Sequence, residues 1–185
     1  MEPRVLLDGL GMPESPRWHD GRLWFSNWGT RQIVAVDLDG KSEVVGEGPD
    51  GLGWATNRLP DGRLLVTGPE LIRVEPDGSR VRHADLDHIS PFGWSEMTVD
   101  GRGNVYVNSG LGSGVIYAYG PLVTPEHPPL GQISPFPNPG GVAVDSAGDI
   151  YATNWAAEEV KVYSPARTLI TSFETSANSA EPFGL

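Results

Sequence analysis

The chain contains no cysteine, which excludes disulfide frameworks and thiolate metal sites alike. It has no apolar run near the ~20 residues that a membrane-spanning helix needs. The opening residues, Met1-Glu2-Pro3-Arg4-Val5, lack the basic stretch and apolar run of a signal peptide. Positive charge is scarce: 13 basic residues face 24 acidic ones, for a net charge of −11. Phosphate binding requires a basic footprint, so nucleic acid is not expected as a partner. There is no Gly-x-Ser-x-Gly elbow, no P-loop and no His-Glu-x-x-His pair. The expectation is a cytoplasmic chain with neither nucleic acid nor membrane as a partner.

What is present points to a turn-rich folded domain. The 185 residues include 24 glycines and 17 prolines, well above average usage. Hydrophobic residues make up 38%, and six tryptophans are too many for a disordered segment. The length suits one domain.

Internal repetition decides the fold class. Four segments share one grammar of apolar strand, tight turn ending in glycine, and second strand. They read Ser15-Pro16-Arg17-Trp18-His19-Asp20-Gly21-Arg22-Leu23-Trp24-Phe25, Leu59-Pro60-Asp61-Gly62-Arg63-Leu64-Leu65-Val66, Met97-Thr98-Val99-Asp100-Gly101-Arg102-Gly103-Asn104-Val105-Tyr106-Val107 and Val142-Ala143-Val144-Asp145-Ser146-Ala147-Gly148-Asp149-Ile150-Tyr151-Ala152. The turn glycines Gly21, Gly62, Gly103 and Gly148 fall 41, 41 and 45 residues apart. A second hairpin follows in each unit, as in Ile33–Val36 with Asp39-Gly40, or Leu71–Val74 with Asp77-Gly78. Apolar spacing is two throughout, and nothing longer than a turn reads as helix. A period in the low forties with four short strands per unit is the signature of a β-propeller blade. The expected fold is all-β: a β-propeller of about four blades of four antiparallel strands. The blade units run over 11–47, 50–88, 92–130 and 138–178. Residues 179–185 open a further repeat, and 1–10 are a candidate ring-closing strand. A propeller must close or expose a sheet edge. The chain is therefore a closed four-blade ring, part of a larger ring, or a unit that homo-oligomerises to complete one.

The wording of the blades carries a resemblance. Leu7-Asp8-Gly9-Leu10-Gly11-Met12-Pro13-Glu14-Ser15-Pro16-Arg17-Trp18, Gly51-Leu52-Gly53-Trp54 and Gly93-Trp94-Ser95-Glu96-Met97-Thr98-Val99-Asp100 resemble the first three blades of the gluconolactonase, senescence-marker-protein and luciferin-regenerating-enzyme-like family over residues 4–119. From about residue 130 to 185 the phrasing is closer to NHL-type repeats, and the proline-rich stretch 121–139 is the seam. The resemblance implies part or half of a six-bladed ring, a lactone or sugar-derived small molecule as substrate, and a divalent-metal-dependent lactone hydrolase. Calcium is the first candidate metal, with zinc, manganese or magnesium as alternatives.

Under that resemblance Glu14 matches the metal-ligating glutamate. A carboxylate just before an inner strand points at the channel mouth, where a hard cation takes oxygen ligands and polarises a lactone carbonyl. Glu96 is the candidate catalytic carboxylate, to position or activate water. Ser95, Asn27, Asn138 and Asn154 are the candidate substrate contacts. Three departures stand out: Ser95-Glu96 replaces the family's Asn-Asp pair, Asn138 is displaced from its slot, and Phe183 stands where the family's fifth-blade aspartate should be. The histidines His19, His83, His88 and His127 have no partner at fixed spacing. Counting seven residues back from each turn glycine gives Glu14, Ala55, Glu96 and Gly141; six residues on stand Asn27, Gly68, Ser109 and Asn154. The competing expectation is a non-catalytic propeller that binds a protein or carbohydrate on its rim. A recombined or engineered half-propeller is the third.

Overall fold

The computed structural model describes residues 4–86, 96–108, 114–121, 129–134, 136 and 138–175. Alternating apolar residues and Asp-Gly turns give sixteen strands. The first sheet holds β1 (Pro13–His19), β2 (Arg22–Asn27), β3 (Gln32–Asp37) and β4 (Ser42–Glu47). The second holds β5 (Thr56–Arg58), β6 (Leu64–Val66), β7 (Glu70–Val74) and β8 (Arg80–Asp85). The third holds β9 (Glu96–Val99), β10 (Val105–Asn108), β11 (Ile116–Tyr119) and β12 (Gly131–Ile133). The fourth holds β13 (Pro139–Val144), β14 (Ile150–Asn154), β15 (Glu159–Tyr163) and β16 (Leu169–Glu174). Every sheet is an antiparallel meander in sequence order, and the only described helices are 3-10 turns at Trp28–Thr30 and Trp155–Ala157. This is a β-propeller arrangement of four blades.

The turns are built by aspartate side chains as much as by glycine. Asp100 Oδ1 accepts the Arg102 and Asn104 N–H groups at 2.9 and 2.8 Å. Asp145 Oδ1 accepts those of Ala147 and Asp149, both at 2.9 Å. Such side-chain acceptors fix the backbone locally, and the glycine that follows supplies the positive φ, +84° at Gly103 and +91° at Gly148. The inner hairpins are thus set by sequence within five residues.

Blades stack face to face through apolar side chains. Trp24 and Ile33 of the first meet Trp54, Leu64 and Val66 of the second. Leu65, Leu71 and Ala84 of the second pack with Met97, Val105, Val107 and Tyr119 of the third. Tyr106, Ile116 and Ile133 of the third pack with Val142, Ile150, Ala152 and Tyr163 of the fourth. The remaining face of the first blade (Leu23, Phe25, Val34 and Val36) is covered by Leu7 and Leu10. Described residues 4–10 form no strand. The close approach of Gly11 and Gly29, with the Gly29 N–H on the Gly11 carbonyl at 2.6 Å, locks that segment to the rim and leaves no room for side chains.

Inner strands β1, β5, β9 and β13 follow one another around the channel. Two of them carry the same irregularity. The pairing of β1 with β2 slips by one residue between Glu14 and Arg17, and that of β13 with β14 slips between Pro139 and Val142. In β1 the extra residue is Ser15, at φ 55° and fully buried. Such a bulge changes which face later side chains take.

Candidate functional site

The bulge explains how two charges three residues apart come together. In a regular strand, residues 14 and 17 would point to opposite faces. With one residue inserted between them, both reach the same neighbour. Arg17 Nη2 pairs with Glu96 Oε1 on β9 and donates to the Met97 carbonyl at 2.8 Å. Glu14 is close enough for its charge to push the Glu96 carboxyl upward. Asn57 of β5 completes the contact by donating from Nδ2 to the Met97 carbonyl at 3.4 Å. Three inner strands therefore converge on Glu96.

The electrostatics of Glu96 are a contest that burial wins. Desolvation raises its pKa above the ordinary carboxylate value, and the charge of Arg17, together with hydrogen bonds from the Met97 N–H and Arg17, opposes that rise. The Met97 N–H reaches Oε1 at 2.8 Å. Burial thus leaves the Glu96 carboxyl easier to protonate than an ordinary carboxylate. Glu14 differs: it is exposed, and its described hydrogen bond is a long one, 3.4 Å, from the Ser15 N–H.

No group of three or more His, Asp or Glu side chains that could hold a metal ion occurs among the described residues. A guanidinium also sits in the same cup, already paired with the second carboxylate. Glu14 and the arginine-bound Glu96 are the carboxylates of this cup among the described residues, so a cation there would draw most of its shell from other oxygens.

Three of the expected substrate contacts, Asn27, Asn154 and Asn138, make hydrogen bonds within the fold. Asn27 Oδ1 accepts the Gly11 N–H at 2.9 Å and anchors the N-terminal segment. Asn154 Nδ2 donates to Glu159 Oε1 at 3.2 Å, while its buried Oδ1 has no hydrogen-bond partner. Asn138 has φ 53°, and its carbonyl accepts the Trp155 N–H at 3.3 Å. That repeats Met12, with φ 58° and a carbonyl that accepts the Trp28 N–H at 3.2 Å. Asn138 is therefore the rim turn of its blade, and in pairing register the fourth-blade counterpart of Glu14 is Gly140, since Pro139 pairs with Asn154 as Pro13 does with Asn27. Ser95, His88, His127 and Phe183 lie outside the described residues. His83 is buried at the contact of the second and third blades, 3.1 Å from the Gly120 carbonyl, and His19 sits beside Asp20 in a turn.

Two features were not read from sequence. One is Arg17, whose relevance depends on the bulge. The other is a polar position five residues after each turn glycine. There Thr67 accepts the Ala55 N–H and Thr153 the Gly141 N–H, both at 2.7 Å, and Asn108 donates to the Gly140 carbonyl at 2.8 Å. The repeat count that placed Glu14 and Glu96 would have placed these too.

No protein-family model matches the chain, and no curated protein matches it in sequence. Solved structures share its fold. A chain of a nidogen/laminin complex aligns over 99% of this chain and 71% of its own length, at 18% identity and a TM-score of 0.78. A gluconolactonase from Xanthomonas campestris aligns over 90% of this chain and 63% of its own, at 23% identity and a TM-score of 0.71. Virginiamycin B lyase from Staphylococcus aureus aligns over 91% of this chain, at 13% identity and a TM-score of 0.68, and this chain spans 57% of that protein's length. At these identities the likeness is one of fold, which the three proteins put to different uses.

Proposed function

We propose that this chain hydrolyses a small lactone or related sugar-derived ester at the channel end of β1, β5 and β9, with Glu96 as the proton-transferring residue. The observation that carries this reading is the desolvated Glu96 carboxylate, raised in pKa and held by Arg17 at the convergence of three inner strands. The gluconolactonase of similar fold lends the substrate class.

The chemistry follows from those groups. Glu96 takes a proton from water as the water oxygen bonds to the lactone carbonyl carbon. The carbonyl oxygen becomes an oxyanion in the positive field of Arg17. The ring C–O bond then breaks, and the leaving alkoxide takes the proton back from Glu96. The product acid then loses its proton to solvent, and exposed Glu14 repels the resulting carboxylate, favouring release. No step is routed through the divalent metal implied by the family resemblance, since no group of three or more His, Asp or Glu side chains that could hold one occurs among the described residues.

The test is lactone turnover, followed by acid release in a weakly buffered solution, with and without excess chelator. Turnover that survives chelator and falls at least a hundredfold in Glu96→Gln supports the reading. Activity unchanged in that variant refutes it.

A further inference from the structure

A cleft of about 320 Å3 opens between the β1–β2 hairpin and the β5–β6 hairpin, at the turn ends of these strands and away from Glu14. Its centre is a stack of cation on indole. The Arg58 guanidinium lies 4.0 Å from the Trp24 ring centroid. Trp24 is fixed by its Nε1–H on the His19 carbonyl at 3.2 Å and by an edge contact with the His19 ring. Trp18 stands beside them with 57% of its surface in water.

Arg58 differs from six of the other arginines. Arg17, Arg22, Arg31, Arg63, Arg73 and Arg82 each pair with a carboxylate. Among the described residues Arg58 has none; its Nη1 donates to the Gly62 carbonyl at 2.7 Å. Burial lowers its pKa while the charge of Asp20 raises it and that of Arg22 lowers it, yet a guanidinium stays charged at any physiological pH. A half-buried cation with no carboxylate at ion-pair distance among the described residues leaves its fork open to an anionic ligand.

We propose that this cleft binds small aromatic monocarboxylates, with the carboxylate on Arg58 and the ring against the Trp18 and Trp24 indoles. The lining selects an aromatic ring over a polyol. Leu59 and Pro60 extend the indole surface, and the Asn57 amide is already spent on the Met97 carbonyl. Flat π-faces and a forked donor suit an aryl carboxylate. The proposal is independent of Glu96, although Arg17 borders both places.

The experiment titrates the whole chain with 2-naphthoate, by tryptophan fluorescence and by amide shifts in NMR. A ligand of this size is expected to saturate with a Kd of about 1 mM or tighter. Arg58→Gln should weaken it about ten- to a hundredfold. Trp18→Ala, at an exposed position, should weaken it about two- to tenfold while leaving the melt unchanged, so the outcome does not depend on Arg58→Gln folding. The neutral isostere 2-naphthalenemethanol should bind at least tenfold more weakly. Equal binding of that alcohol, full affinity in either variant, or displacement of naphthoate by gluconate at equal concentration would overturn the proposal.

Discussion

A valine at position 67 would cost this fold a defined amount, and an alanine at position 26 would cost it nothing, although both positions occupy the same slot of the repeat. Thr67 Oγ1 accepts the Ala55 N–H at 2.7 Å and lies within 3.4 Å of the Ala55 carbonyl. Thr153 does the same for Gly141 at 2.7 and 3.4 Å. Both threonines are fully buried, as is Ala55. Valine keeps the volume and β-branching, so the hydroxyl is what changes. The Ala55 N–H then loses a buried acceptor, at about 1–3 kcal/mol. In a chain of 185 residues each kcal/mol moves the melting temperature by about 2–4 °C, so the drop is about 2–12 °C. Thr153→Val should match it. Ser26, in contrast, has a buried Oγ with no hydrogen-bond partner among the described residues, so Ser26→Ala removes an unsatisfied group and should be neutral or slightly stabilising. Guanidinium unfolding followed by tryptophan fluorescence, run beside thermal melts, measures all three. The reasoning fails if Ser26→Ala is as destabilising as Thr67→Val, or if Thr67→Val moves neither midpoint.

Three further outcomes follow from the same structure. A Cβ on Gly48 would overlap the six-membered ring of buried Trp54, so Gly48→Ala should destabilise by about 1–3 kcal/mol and shift the tryptophan emission, as checked by denaturant titration. His83 has its pKa lowered below the ordinary 6.5, first by burial and also by the charges of Arg73 and Arg63, while its hydrogen bond to Gly120 opposes that. Its contribution to stability is complete above pH 6.5 and is lost as the pH falls through the lower folded value, so the parent should lose more stability between pH 7 and pH 5 than His83→Gln does; identical slopes would refute the assignment. Arg17 holds the Glu96 pKa down against burial, so in Arg17→Gln the acid limb of the pH profile of the proposed lactone turnover should move to higher pH; an unmoved limb would mean that Glu96 does not set it.

Much of the architecture was legible because its causes are local. The spacing of Gly21, Gly62, Gly103 and Gly148 marks turns that aspartate side chains and positive φ angles close within five residues. Alternation of apolar residues places Leu65, Val105 and Ile150 in the blade contacts. Glu14 and Glu96 were also within reach of a repeat count, since each pairs with the fifth residue after its turn glycine, Ser26 and Asn108 respectively. The same count misplaced the fourth-blade counterpart by one residue: the first blade has a bulge with a two-residue turn and the third the longer turn with no bulge, whereas the fourth combines the longer turn with the bulge in β13, which shifts register to Gly140.

The amino-acid sequence by itself determined the strands, the turns, the blade period and the two carboxylates of the inner slot, because each depends on residues a few positions apart. Only the tertiary structure decided what those carboxylates meet. The bulge at Ser15 turns Arg17 to the side of Glu14, and its guanidinium then crosses to a strand about eighty residues on to pair with Glu96. The burial that raises Glu96, the engagement of Asn27 by Gly11, and the exposure of Arg58 to an indole but to no carboxylate are likewise products of blades packing together. Charge, burial and partner at a channel site are properties of neighbours, and a propeller brings those neighbours from different repeats.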